Sequence, residues 1–145
     1  MGEESSTNDG LEKSTSNTDS IKPFYTAILS DEFLYYYDNV FTDEKLDLID
    51  DFLEHYEQNG LTGWKGKISP SWKVPECYQD HKERAKYAQE MDLWHAHIGL
   101  PSWQTRKGAN YSTSDQVLHF QRTSKTEIFV LSISKHNPMD LPDIE

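Results

Sequence analysis

One cysteine, Cys77, stands in 145 residues. A single thiol cannot close an intrachain disulfide, so a reducing, cytoplasmic setting is expected. No basic cluster flanks Cys77, which reads as a non-catalytic thiol. Long apolar runs are missing as well. The longest candidate, Phe33-Leu34-Tyr35-Tyr36-Tyr37, falls far short of the roughly 20 residues that span a bilayer, so no membrane partner is expected. The first 20 residues hold no apolar core of the kind a secretory signal carries. No nucleophile elbow, P-loop or GxGxxG is present, so acyl transfer and nucleotide hydrolysis lack motif support. C-x-x-C and H-E-x-x-H are absent too.

The chain is polar, with a mean hydropathy of −0.81, yet it holds 4 Trp, 8 Tyr and 6 Phe. That aromatic content excludes a wholly disordered chain. None of it lies in residues 1–21, where Ser, Thr, Asn, Asp and Glu dominate. Such a segment buries too little apolar surface to offset its ordering entropy. A disordered tail over 1–21 and one folded domain over 22–145 are expected.

Net charge is −11, which taken whole argues against a nucleic-acid binder. The charge is unevenly divided, however. Residues 22–60 carry 10 acids and 2 bases, whereas residues 61–135 carry 7 acids and 11 bases. This asymmetry points to polyanion contact through one part of the surface, or to lysines and arginines scattered on all sides.

Residues 24–40 read as one or two short strands or an irregular arm. A helix is expected over 43–59, with Thr42 as N-cap, Asp43 and Glu44 in the first turn and Gly60 as the stop. Leu46, Ile49, Phe52, Leu53 and Tyr56 form its apolar stripe, and Asp47, Asp50, Asp51, Glu54 and Glu57 its acidic face. Residues 61–79 carry Gly63, Gly66, Pro70 and Pro75, which is loop chemistry. A short helix is expected over 80–90. Residues 93–99 and 116–122 alternate as strands, and 127–134, apolar on both faces, reads as a central strand. The fold class is α+β, a small antiparallel sheet with helices packed on one face.

Alternation places His95, His97 and His119 on the sheet face opposite Trp94, Ala96, Ile98, Leu118 and Phe120. Two chemistries can use such a face. One is RNA cleavage by attack of the 2′-hydroxyl on the adjacent phosphate, which needs a base, an acid and cations for the phosphorane charge. Imidazoles supply the first two near pH 7, and Arg106, Lys107, Arg122, Lys125 and Lys135 are candidate cations. Tyr111, Trp103 or Trp94 could stack on splayed bases. The other is metal binding by the His95-Ala96-His97 pair with His119 or His136, although H-x-H alone is a weak signal. The bland reading of each histidine is a packed or solvent-facing residue. A non-catalytic binding protein, its acidic helix covering a basic partner, is a further reading.

The order FTDEKLDLIDDFLEHYEQNG, then LWHAHIGLP, YSTSDQVLHFQ and EIFVLSISKHNP resembles the YafO-like toxins of bacterial type II toxin–antitoxin systems. These belong to the RelE/ParE-type ribonuclease superfamily. The resemblance covers about residues 41–138. It rests on the E-Q-N-G helix end, the ERA…HAHIGLP segment, a strand after Thr-Ser-Asp and the last apolar strand. It implies a RelE-like domain that cleaves mRNA on the translating ribosome, without metal or cofactor, and that is held by a cognate antitoxin. Matched by strand position, the catalytic set is His95, His97, Tyr111, His119, Arg122 and His136. His119 would be the acid/base, Arg122 the phosphate clamp, and His95 and His97 binding or orienting groups. Arg106, Lys107, Lys125 and Lys135 would hold the RNA.

Overall fold

Alternation along three neighbouring strands sets the architecture. The strands Leu93–Leu100, Gln116–Ser124 and Glu127–Lys135 pair antiparallel, with Trp94 opposite Phe120, His95 opposite His119 and Ala96 opposite Leu118. Two shorter strands complete the sheet in the computed structural model, which describes residues 24–136, 139 and 141–142. In chain order the strands are β1 (Thr26–Leu29), β2 (Ile68–Pro70) and then the three above as β3, β4 and β5. Across the sheet the order is β1-β5-β4-β3-β2. The tail expected over 1–21 lies outside the described residues.

The α+β class holds, with two corrections to its detail. First, the sheet is mixed, because β1 runs parallel to β5. The two strands are far apart in sequence, so no hairpin dictates their relative direction. Second, helices cover both faces. Helix α2 (Asp43–Asn59) packs Ile49, Phe52 and Tyr56 on Ala96, Ile98, Leu118, Phe120, Ile128 and Val130. Helix α3 (His81–Glu90) lies on the other face, where Ala88 meets Leu93 and Leu131, with Trp72, Met91 and Phe129 alongside. Because β5 is apolar on both faces, one end of that second face also needs a cover.

Helix α1 (Asp31–Asn39) replaces part of the arm expected over 24–40. The Ser30 side chain accepts the Phe33 amide at 3.1 Å, and Asp31 and Glu32 complement the dipole in the first turn. These local signals outweigh the strand preference of the Tyr-rich run, and buried Phe33 fixes the helix to the core. For α2 the expected caps are present. Thr42 accepts the Lys45 amide at 3.3 Å, and Gly60 ends the helix at φ +69°. A Cβ there would stand 2.8 Å from the Tyr25 ring, so both conformation and space require glycine.

Asp47, Asp51, Glu54 and Glu57 face outward on α2. Asp50 does not belong with them. It accepts a hydrogen bond from the Tyr37 hydroxyl, which pushes that phenol up to about 12. None of the described helices is long and apolar enough to cross a membrane.

Phe52→Ala should cost about 3–5 kcal/mol of stability through lost transfer energy and a residual cavity. Thr42→Ala should cost only about 1 kcal/mol. Urea unfolding checks both, and a Phe52→Ala loss no larger than that of Thr42→Ala would contradict the packing of α2 on the sheet.

Candidate active site

The face shared with α3 turns polar beyond Leu93. The His97 amide donates to the Lys67 carbonyl at 3.0 Å, and Ser69 pairs with His95, so β2 brings Lys67 and Ser69 alongside the two histidines of β3. Gly66 permits this approach, since a Cβ there would collide with the His97 carbonyl. At the end of β5, the His136 amide donates to the Asp115 carbonyl at 2.8 Å. Four imidazoles therefore gather on one face. Ring centroids lie 4.8 Å apart for His97–His136, 5.3 Å for His95–His136, 6.2 Å for His95–His119 and 6.4 Å for His95–His97.

Three of these rings are deeply buried, at 5% exposure for His95, 3% for His97 and 0% for His119, whereas His136 is exposed. Serines hold the buried ones. Ser71 Oγ lies 2.9 Å from His95 Nδ1, and Ser134 Oγ lies 2.6 Å from His119 Nε2. His97 Nδ1 stands 2.8 Å from the Ser114 carbonyl oxygen and 2.9 Å from its amide nitrogen. The first contact suits the tautomer protonated at Nδ1 and the second suits the other. Ser114 thus anchors the ring in either state, and its own hydroxyl donates to the Gln116 carbonyl at 3.0 Å.

Burial sets the charge state of the cluster. It pushes His95 down to about 3, with His119, His136, His97 and Lys67 adding repulsion. His97 is lowered by burial against the opposing pull of its Ser114 hydrogen bond. His136 is lowered by burial and then by Lys67. Near pH 7 these rings are neutral.

Beside them runs a groove of about 710 Å³, lined by Lys67, His97, Gln104, Arg106, Asp115 and His136 among others. A second recess of about 380 Å³ includes Lys67, Tyr78, Arg84, His95 and His136, and a third of about 200 Å³ includes Lys67, Arg106 and Tyr111. The loop carrying Arg106 and Tyr111 is tied down. Gln104 and Thr113 exchange backbone hydrogen bonds at 2.8 Å, the Lys67 amide donates to the Ser112 carbonyl at 2.9 Å, and the Trp103 indole packs against Gly99. Gly99 has φ +95°, and a Cβ there would stand 2.6 Å from that indole nitrogen.

Of the expected site residues, the structure brings together His95, His97, His136, Arg106 and Tyr111 around the groove. His119 belongs to the same row of rings. Its full burial, however, does not fit the acid/base role expected of it, because a substrate phosphate cannot touch it. Arg122 is separated altogether. It pairs with Ile128 and stacks over Trp94 at 5.3 Å, and its charge acts on Tyr56, so it belongs to the α2 side. The phosphate-clamp role does not fit that place. Lys125 sits at the β4–β5 turn, roughly 20 Å of strand beyond His119. Lys107 and Lys135 are exposed but do not line the groove.

Sequence reasoning missed Lys67, Ser71, Ser114 and Ser134. For Lys67 a signal exists. Lys67-Ile68-Ser69-Pro70 alternates after a glycine, and proline is tolerated on an edge strand, as β2 is. For the serines no local signal exists, because their partners are brought by the sheet.

Among the described residues, no group of three His, Cys, Asp or Glu side chains is arranged to hold a metal ion. The H-x-H metal alternative therefore gains no support from the donor geometry. No family model, curated protein or solved structure matches this chain.

The buried neutral rings make stability pH-dependent. The folded-state values of His95, His97 and His136 lie below the ordinary imidazole value of about 6.5. Their stabilising contribution is thus complete above that pH and is lost as pH falls toward about 3 for His95. Stability should be level above pH 7 and decline between pH 6.5 and 5, with His95 supplying up to about 1.4 kcal/mol per pH unit. Urea titrations across that window should show a shallower decline for His95→Asn, and an unchanged slope would refute the buried neutral ring.

Proposed function

We propose that this chain is an endoribonuclease of the toxin type, cutting RNA by 2′-hydroxyl attack on the adjacent phosphate. The observation that carries this reading is the meeting of Lys67, exposed His136 and His97 in one groove, where desolvation lowers both imidazoles below their ordinary value. A neutral imidazole can take the 2′-hydroxyl proton, and the resulting oxyanion attacks phosphorus. The bond to the 5′-oxygen breaks, the imidazolium formed in the first step gives that proton to the departing oxygen, and the products are a 2′,3′-cyclic phosphate and a 5′-hydroxyl. Lys67 sits where a cation would offset the charge that builds on the phosphorane oxygens.

His136 is the accessible acid/base group, and His97 is the second, anchored by Ser114. His95 and His119 act as positioning residues: they fill the space behind the reacting pair with rings held by Ser71 and Ser134. Arg106 and Tyr111 contact the RNA along the groove. The resemblance to YafO-like toxins supports the same chemistry and adds its setting, a translating ribosome in the cytoplasm, with a cognate antitoxin as partner.

One observation favours a second reading. The outward acids of α2, Asp47, Asp51, Glu54 and Glu57, lie on the far side of the sheet from the groove and suit a basic protein partner. That reading needs no catalysis.

Induced expression in a bacterial host separates the two. The ribonuclease predicts growth arrest and new mRNA 5′ ends mapped by primer extension, lost when translation is blocked. Lys67→Ala combined with His136→Ala should abolish the new ends, since removing an acid/base group alone costs about 10²–10⁴ in rate. Arg122→Ala should leave them in place. Healthy growth with intact mRNA would overturn the ribonuclease and favour the acidic binding protein.

A further inference from the structure

Lys67 lines all three recesses, and His136 lines the two larger ones. The cation therefore stands at a crossing, with concave space on either side of it along the sheet face. The two sides differ in chemistry. Toward α3, the 380 Å³ recess is walled by Val74, Pro75, Tyr78, Met139 and Leu141. The Tyr78 ring is backed by the Arg84 guanidinium at 4.9 Å. Arg84 is itself fixed, donating to Asp80 Oδ1 at 2.9 Å and to the Met139 carbonyl at 2.8 Å. The result is a preformed slot with an apolar wall, the Tyr78 ring and no carboxylate, bordered by Lys67, Ser69, Lys73, Arg84, His95 and His136. The apolar wall and the Tyr78 ring suit a flat heterocycle, and the bordering cations suit the phosphate attached to it.

Toward the loop after β3, the 200 Å³ recess offers Tyr111, 47% exposed, beside Gln104 and Arg106. An exposed ring with an amide and a guanidinium at its side suits a second base, stacked and read along one edge. The one acid on the groove, Asp115, lines the large cavity but neither flanking recess.

We propose that the groove reads a dinucleotide step of single-stranded nucleic acid, with the bridging phosphate at Lys67, one base in the Tyr78 recess and the next in the Tyr111 recess. This rests on the ribonuclease reading and extends it, since Tyr78 and Tyr111 become the residues that set where the chain is cut. Two bases placed in opposite recesses cannot remain stacked on each other or paired to a second strand. A duplex is therefore excluded.

The test uses the full chain and uncleavable 2′-deoxy probes. Calorimetry or NMR titration compares d(ApA) and d(TpT) with dAMP, inorganic phosphate and a 12-base-pair DNA duplex. The dinucleotides should bind at least tenfold tighter than dAMP or phosphate, and the duplex no tighter than phosphate. Lys67→Ala should weaken every probe. Tyr78→Ala and Tyr111→Ala should each weaken the dinucleotides about tenfold and leave phosphate binding unchanged, and Tyr78→Phe should restore stacking. Arg106→Ala, at an exposed position, provides a second variant on the loop side that leaves the core untouched, and it should weaken the dinucleotides as Tyr111→Ala does.

Dinucleotides that bind no better than phosphate, or Tyr78→Ala and Tyr111→Ala proteins that bind them normally, would overturn the proposal. If mRNA ends appear in cells while both tyrosine variants keep the same cut positions, the base recesses fall and the ribonuclease stands. If the dinucleotides bind as described but RNA is not cut, the ribonuclease falls and the base-reading groove stands.

Discussion

Four imidazoles share one sheet face at ring separations of 4.8–6.4 Å, and the three buried ones have little access to the water that would stabilise a charge. A second positive charge among them would meet both desolvation and repulsion from its neighbours. The fold accommodates the cluster by giving each buried ring a serine partner, and burial holds His95, His97 and His136 below the ordinary imidazole value. Ser71 comes from the end of β2, Ser114 from the loop before β4 and Ser134 from β5. The cluster thus ties together the edge strand, the central strands and the loop that carries Arg106 and Tyr111. Much of the polar architecture follows from housing it.

Neutrality also suits the chemistry proposed for the groove. A ring already protonated near pH 7 could not accept a proton, whereas a ring held neutral can do so as soon as negative charge develops beside it. Lys67 supplies a fixed positive charge without occupying the acid/base role. Its field lowers His95, His97 and His136 alike, which keeps their lone pairs available. The positioning rings and the reacting rings are therefore one electrostatic unit, and what separates them is place: His97 and His136 line the large groove, whereas His95 and His119 do not.

Much of this was legible in the sequence. Period 2 placed His95, His97 and His119 on one face and Trp94, Ala96 and Phe120 on the other, and the structure has them so. The same period argues against Arg122 as a partner of His119. It stands an odd number of residues away and therefore turns with Phe120 toward α2. The helix at 43–59 was readable because its caps and its stripe agree. Helix α1 was not, because Phe33–Tyr37 has strand propensity and only the Ser30-Asp31-Glu32 start argues for a helix. Depth was also hidden. Alternation tells which way His119 points, but not that α3 and the β2 edge close over that side and leave His136, at the very end of β5, as the accessible ring.

The net charge of −11 is compatible with a cationic groove because charge acts locally in salt water. The Debye length is about 8 Å at physiological ionic strength. The outward acids of α2 are separated from the groove by the thickness of a helix, about 10–12 Å with its side chains, and by the sheet itself. A phosphate in the groove is therefore screened from them and responds to Lys67 and Arg106, which line it. Several other cations are engaged elsewhere: Lys45 over Phe41, Lys65 over Trp103 and Arg122 over Trp94. Total charge would govern the approach of a distant partner, while the contacts at the groove depend on which cations the sheet places beside the imidazoles. An acidic chain can in this way present one face to an anion and the opposite face to a basic protein.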